Sequence, residues 1–384
     1  MTDQIKDTIQ DCNINFLLGS GLSSPYLKTL GQIEAMLTDL EGTALAEDKK
    51  KLIRASLYRN YFDGVISKNL QILNEDADSK PVLQNYHNFL RTWNSILLRR
   101  KSTILSKEAN IFTTNVDVFL DKALEDLGLE YNDGFNGRFK PSFSLGNFKK
   151  SRFKKSLHYD KTAEIPVFNL LKLHGSLSWA IDEHGKIGFS TDLGHIRKIA
   201  STPVSADHIL NVADNATIAT LSAAALGIVG DASTEAFMAG YESLCIVNPT
   251  KDKFKHTLLN QTYYELLRIY SNELEKENTV LFVLGFSFAD EHIREITLRA
   301  ANSNPTLVIY VIAHSAKAKE EIEGRLGKGH TKNDNVIFIS PPSKAKLGPD
   351  ATENDEFKYD LPTITTRIFA ELFKEEQEAE GDAA

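Results

Sequence analysis

The sequence predicts an α/β fold organised on a doubly wound parallel sheet. Three observations carry this. Apolar runs such as Thr279-Val-Leu-Phe-Val-Leu284 read as strands covered on both faces. Helical patterns alternate with those runs, which is how parallel strands are connected. Four runs end in small or polar residues: Gly19-Ser20-Gly21, Thr114-Asn115-Val116-Asp117, His174-Gly175 and Gly285-Phe286-Ser287. In a parallel sheet those ends share one edge, where ligands of open α/β sheets bind.

Asn13 to Leu18 reads as a buried strand, and Gly19-Ser20-Gly21-Leu22-Ser23-Ser24 as a turn opening a helix. The two glycines allow a tight turn and close approach of a ligand to the backbone. Ser20, Ser23 and Ser24 add hydroxyls, and a helix N-terminus favours anions. The stretch reads either as a phosphate cradle or as an ordinary strand-to-helix turn, because the third glycine of the dinucleotide fingerprint is absent.

Residues 27–102 are mainly helical and form a lobe. Leu27, Leu30, Ile33, Met36, Leu37 and Leu40 recur at helical spacing. A second pattern runs from Ala46 to Tyr58. A third follows Pro81 and carries Leu83, Tyr86, Phe89, Leu90, Trp93, Ile96 and Leu97, read as core. Ile111 and Phe112 mark the next strand. Asn115 or Asp117 then starts a helix that Gly128 stops. Asn115 reads equally as an N-cap or as a site residue.

Residues 138–161 interleave eight lysines and arginines with Phe139, Phe143, Phe148, Phe153 and Tyr159. Such a run suits nucleic acid, a lid over an anionic dinucleotide, an acidic partner or a solvated loop. Phe168 to Leu173 is a strand ending at His174, which reads as a structural histidine or a base. Leu177 to Phe189 is a hairpin, and residues 191–243 are an insertion of helices and loops. Ser243 to Val247 reads as a strand ending in Asn248-Pro249, followed by an amphipathic helix from Leu258 to Leu274. The strand Thr279–Leu284 stops at Gly285, Ser287 and Asp290, where Asp290 is a helix cap or a site residue. Thr306–Ala313 is a strand, 315–327 a helix and Val336–Ser340 a strand. Residues 1–340 thus form one domain, and 341–384 a linker, a helical arm and an acidic tail.

The 384 residues are 42% hydrophobic with net charge −8, so a globally basic nucleic-acid footprint is absent. Cys12 and Cys245 are too few for a disulfide framework or a four-cysteine zinc site, and no metal is expected. There is no apolar leader and no run of about 18 apolar residues, so a reduced cytoplasmic setting without a membrane span fits.

The ordered motifs Gly-x-Gly-x-Ser, Thr-x-Asn-x-Asp, His-Gly and Gly-x-Ser resemble the sirtuin-like superfamily. Leu173-His174-Gly175-Ser176 and Gly285-Phe-Ser-Phe-Ala-Asp290 are most similar to the bacterial sirtuin-like domains that hydrolyse NAD in antiphage defence. The resemblance spans about residues 13–313. Chain length and the acidic tail are similar to the sirtuin-like subunit that pairs with a hexameric HerA-type ATPase. Deacetylase sirtuins carry a Cys-x-x-Cys zinc module after the His-Gly strand, whereas only Cys245 follows here. The first turn continues Ser24-Pro25-Tyr26 instead of Ile-Pro-Asp-Phe-Arg, so protein deacylation is not implied.

What the resemblance implies is a Rossmann-like, sirtuin-like fold without a zinc module, with NAD as substrate. The reaction would release nicotinamide and ADP-ribose, in an abortive defence effector activated on assembly or infection. Asn115 would face the ribose and the attacking water, with His174 as general base. Asp117 would hold the nicotinamide amide or orient its loop. Gly19, Ser20, Gly21 and Ser23 would cradle the pyrophosphate. Gly285, Ser287 and Asn248 would contact the adenosine half. The implied partners are a large homo-oligomer and the HerA-type ATPase, with nucleic acid reached only through that complex. The alternatives are an NAD- or ADP-ribose-binding regulatory subunit and a DNA-acting component with little NAD turnover.

Overall fold

A computed structural model describes residues 2–28, 31–100, 104–248, 257–327, 331–341 and 358–373. Seven parallel strands form the central sheet: β1 Asn13–Leu18, β2 Glu108–Thr113, β3 Glu130–Asn132, β4 Val167–Lys172, β5 Thr279–Leu284, β6 Leu307–Ile312 and β7 Val336–Ile339. They lie in the order β7-β6-β5-β1-β2-β4-β3, and every adjacent pair is parallel. The expected parallel sheet is therefore present. The sequence reading has no strand at β3, which at three residues is too short to show a period.

Alternate side chains of each strand enter opposite cores. Ile14, Phe16, Leu18, Val280, Phe282 and Leu284 face one core, built with the helices Thr2–Asp11, Lys80–Arg99 and Phe119–Asp126. Leu17, Leu281, Val283, Ile309 and Val311 face the other, built with the helices Thr257–Leu274 and Glu291–Ser303. Helices thus cover both faces, which explains why these strands are apolar throughout. In the helix Lys80–Arg99, Trp93 meets Phe16 edge-on at 4.6 Å. Pro81 sits in its first turn, where no amide is needed.

The expected helical block consists of the helices Gly31–Glu41, Glu47–Tyr61, Asn69–Leu73 and Lys80–Arg99. The insertion supplies the helices Gly194–Ala200, Ile218–Ala225 and Ala232–Glu242. It packs on the lobe through Tyr241, stacked on Tyr58 at 4.4 Å, and Phe237, under Arg59 at 5.3 Å. One expectation changes: residues 243–247 are not a strand and make one isolated bridge, between Ile246 and Gly175. The C-terminal turns 361–373 are helical and pack on the domain, with Phe369 buried against Trp93 at 4.9 Å and Phe282 at 5.5 Å. Most of the expected linker and the acidic tail from Glu375 lie outside the described residues.

One buried polar feature crosses the sheet. Asn15, Asn110, Asn169 and Asn132 occupy matching registers on β1, β2, β4 and β3. Their amides form a ladder in which Asn132 donates to Asn169, Asn169 to Asn110 and Asn110 to Asn15, each at 2.8 Å. Asn110 also donates to the buried Glu273 of helix Thr257–Leu274 at 3.2 Å. Replacing Asn169 by leucine strands the Asn110 oxygen and an Asn132 amide hydrogen. At roughly 1–3 kcal/mol per unpaired buried group, Asn169→Leu should lose about 2–4 kcal/mol in urea unfolding. A loss below about 1 kcal/mol would show that the ladder is dispensable.

Candidate functional site

The strand order reverses beside β1. Chain from β1 proceeds outward through β2, then returns across to β5 on the other flank. The crevice beyond the carboxyl ends of β1 and β5 is where such sheets take ligands.

After β1 the chain makes a single 3₁₀ turn, Ser20–Ser23, and not the expected helix. Gly19 donates its amide to the Leu284 carbonyl at 3.0 Å, and Gly21 donates to the Gly285 carbonyl at 3.2 Å. Those two amides are therefore committed within the fold. Gly19 has φ −113°, open to any residue, so its glycine is demanded by space alone. A Cβ there would stand 2.4 Å from the Gly285 carbonyl oxygen.

Behind this turn lies a buried polar network. Ser23 donates to Asp117 Oδ2 at 2.8 Å and shares a hydrogen bond with Tyr86 at 2.9 Å. Asn115 donates to the Gly19 carbonyl at 3.2 Å and to Ser23 at 3.4 Å. Asn115 does not cap the following helix, whose N-cap is Val118. Its Oδ1 is buried with no hydrogen-bond partner among the described residues. Asp117 Oδ1 accepts the Phe119 amide at 3.2 Å. Burial raises the Asp117 pKa above the usual carboxylate range, against the pull of Lys172. Lys172 on β4 is itself buried, donates to the Asp117 carbonyl and lies 2.7 Å from Asp121 Oδ2. Sequence reading missed Lys172 and Tyr86. A lone lysine inside an apolar strand was the available signal for the first; Tyr86 follows the core pattern and had none.

His174 follows β4. The next residue, Gly175, has φ +76°, and a Cβ on it would stand 2.1 Å from the Cys245 carbonyl oxygen. The Val247 amide donates to the His174 carbonyl at 2.8 Å, which brings Asn248 beside the histidine loop. His174 Nε2 lies 3.2 Å from Asp290 Oδ2, out of hydrogen-bond alignment. Asp290 Oδ1 meanwhile accepts the Ile293 amide at 3.2 Å and caps the helix Glu291–Ser303. Asp290 is thus the helix cap that its sequence position allowed, and it lies beside His174. Asn248 Oδ1 is buried without a partner among the described residues.

Ser20, His174, Asn248, Gly285 and Ser287 line one cavity of about 130 Å³, together with Thr114, Glu34 and Asp290. Gly19, Gly21, Ser23, Asn115 and Asp117 do not line it. Glu34, from the helical lobe, carried no sequence signal. Among the described residues no lysine or arginine lines the cavity, and two carboxylates do. The described residues hold no group of three or more metal-ligating side chains. No described helix is long and apolar enough to cross a membrane. No protein-family model matches the chain, and no curated protein matches it.

Two measurements follow. Gly19→Ala forces β1 and β5 loops apart, and overpacking of this kind costs about 1–3 kcal/mol. Chemical denaturation should show that loss, and an unchanged midpoint would mean that the loops are not locked. Asp133, half-buried after β3, has its carboxyl pushed up to about 6 from 3.8, chiefly by burial, with Asp121 adding to it. A raised carboxylate stabilises the fold below its unfolded value, and that contribution is lost as pH rises through the folded value. Asp133→Asn keeps the acceptor for the Phe135 amide. Its stability gain over the native chain should be near zero at pH 4 and on the order of 2 kcal/mol at pH 7.5. A gain independent of pH would reject this.

Proposed function

We propose that the chain is a sirtuin-like NAD hydrolase. The observation that carries the reading is the His174–Asp290 pair, 3.2 Å apart in the switch-point cleft. A histidine at a cleft wall is the side chain best suited to accept a proton at neutral pH, and a carboxylate lies beside it.

The cavity is smaller than the roughly 300–1,000 Å³ of pockets that enclose a whole small ligand. It suits one end of a dinucleotide, and its charge points to the nicotinamide end. The pyridinium is cationic, and the transition state for its loss is oxocarbenium-like. Glu34 and Asp290 supply negative charge there, and no described lysine or arginine in the lining opposes it. Asn248 Oδ1, unpartnered among the described residues and in the cavity lining, is the acceptor for a ribose hydroxyl or water. Asn115 does not line the cavity and acts on this reading by holding the Gly19 carbonyl and Ser23 behind it. In the reaction the C1′–N bond breaks and its electron pair leaves with neutral nicotinamide. Water oxygen bonds to C1′, and His174 takes the proton. No general acid is required.

Of the four residues expected at the pyrophosphate, only Ser20 lines the cavity, since Ser23 is buried and the Gly19 and Gly21 amides are committed. Asp117 acts as a loop anchor. On this reading the chain is a cytoplasmic antiphage effector, held off until it assembles as a homo-oligomer with a HerA-type ATPase.

The test is nicotinamide release from NAD by the purified chain, alone and with that ATPase. His174→Ala should lower release at least 100-fold without changing the melting temperature. Asp290→Asn keeps an oxygen for the Ile293 amide but removes the charge, and should lower release about tenfold. Native-rate release by His174→Ala would refute the assignment, and NAD binding without release under both conditions would make the chain a binding subunit.

A further inference from the structure

The run 138–161 holds eight of the chain's 44 lysines and arginines and one of its 52 acidic residues, in a chain of net charge −8. The structure resolves part of it into a two-stranded antiparallel ribbon, Arg152–Lys155 with Thr162–Ile165. Its root is tied to the central sheet. Ser151 donates to Glu108 at 2.7 Å, the Lys107 amide to Glu164 at 3.1 Å, and Asn132 to the Lys150 carbonyl at 3.2 Å. Its tip is a formed turn, in which the Ser156 amide donates to the Lys161 carbonyl at 2.9 Å and the Tyr159 amide to Ser156 Oγ at 3.2 Å.

What this rooted ribbon displays is unusual for a surface. Phe153 is 64% exposed, Leu157 94% and Tyr159 74%. Neither aromatic ring meets another aromatic ring among the described residues. Lys155 pairs with Asp160 at 2.8 Å, and Arg152 lies 3.6 Å from Glu130. Lys154 and Lys161 have no ion pair among the described residues. Protein interfaces are depleted in lysine at their cores. Unpaired cations and bare rings on one short ribbon match instead a ligand with regularly spaced anions and exposed π-faces, although Phe153 lies across from Glu164 and Lys154 faces the other side of the ribbon.

We propose that the ribbon 152–165 binds single-stranded nucleic acid, with Phe153 and Tyr159 stacking on bases and Lys154 and Lys161 on phosphates. This surface is separate from the cleft and does not depend on NAD turnover.

The test is fluorescence anisotropy of a labelled 20-nucleotide oligothymidylate with the full chain, at 50 to 200 mM salt. Binding should weaken as salt rises. Each base stack contributes roughly 1–3 kcal/mol, so Phe153→Ser with Tyr159→Ser should weaken binding tenfold or more. Lys154→Gln with Lys161→Gln should lower the slope of log affinity against log salt by about one. Lys317→Gln, on an exposed helix elsewhere, should change nothing. The proposal is overturned by absence of binding at 50 mM salt, or by binding that ignores the Phe153 and Tyr159 changes. Equal binding of polyglutamate would overturn it in favour of an acidic protein partner.

Discussion

The site rests on one contact, the backbone of Gly19 against the backbone of Gly285. At Gly19 the loops meet backbone to backbone: a Cβ there would already overlap the Gly285 carbonyl. Two backbone hydrogen bonds, from Gly19 and Gly21, close the contact. It brings the carboxyl ends of β1 and β5 together at the reversal of strand order. The loop beyond Gly285 is then forced into an uncommon shape. Phe288 sits at φ +56°, where a bulky side chain is an outlier. Its burial and the donation of Arg294 to its carbonyl at 3.2 Å hold it there. Arg325 holds the Ser287 carbonyl at 2.7 Å. Asp290 can face His174 only because this short loop is determined from several sides.

The parallel sheet raises a second constraint. Strands apolar on both faces pack comparably well after a slip of two residues, so burial alone specifies register weakly. The four-asparagine ladder supplies what burial does not. Each amide finds its partner only in the register that aligns Asn15, Asn110, Asn169 and Asn132. The same register sets the strand ends level, so that Thr114, His174 and Gly285 border one crevice. Polar groups under the site are satisfied in the same way: Ser23, Tyr86 and Asp117 share a buried network, and Lys172 lies against Asp121. The oxygens of Asn115 and Asn248 are among the buried polar atoms left without a hydrogen-bond partner among the described residues.

Charge is also separated in the molecule. The cleft is lined by Glu34 and Asp290, whereas the ribbon at 152–165 carries exposed cations and bare rings. The two surfaces differ in electrostatic character, acidic in the cleft and basic on the ribbon.

Much of this was legible in the amino-acid order. Apolar runs bounded by glycine, asparagine or histidine marked six of the seven strands, because a strand covered on both faces leaves a continuous hydrophobic record. The convergence of His174, Ser287 and Gly285 followed from the parallel arrangement. Other features had no local record. The Gly19–Ser23 turn looked like a helix opening because glycine and serine suit both; the nearby Gly285 loop decided the matter by taking its amides. Residues 361–373 looked like an arm, since a short amphipathic pattern does not say what covers it. Glu34 and Lys172 came to their places through chain segments far away in sequence. The amino-acid order by itself determined the strands, their polar ends and the parallel architecture, because hydrophobic periodicity and turn chemistry are local. Only the tertiary structure decided which polar atoms are spent inside the fold and which remain for a ligand, because a hydrogen bond between distant segments exists only once both are packed.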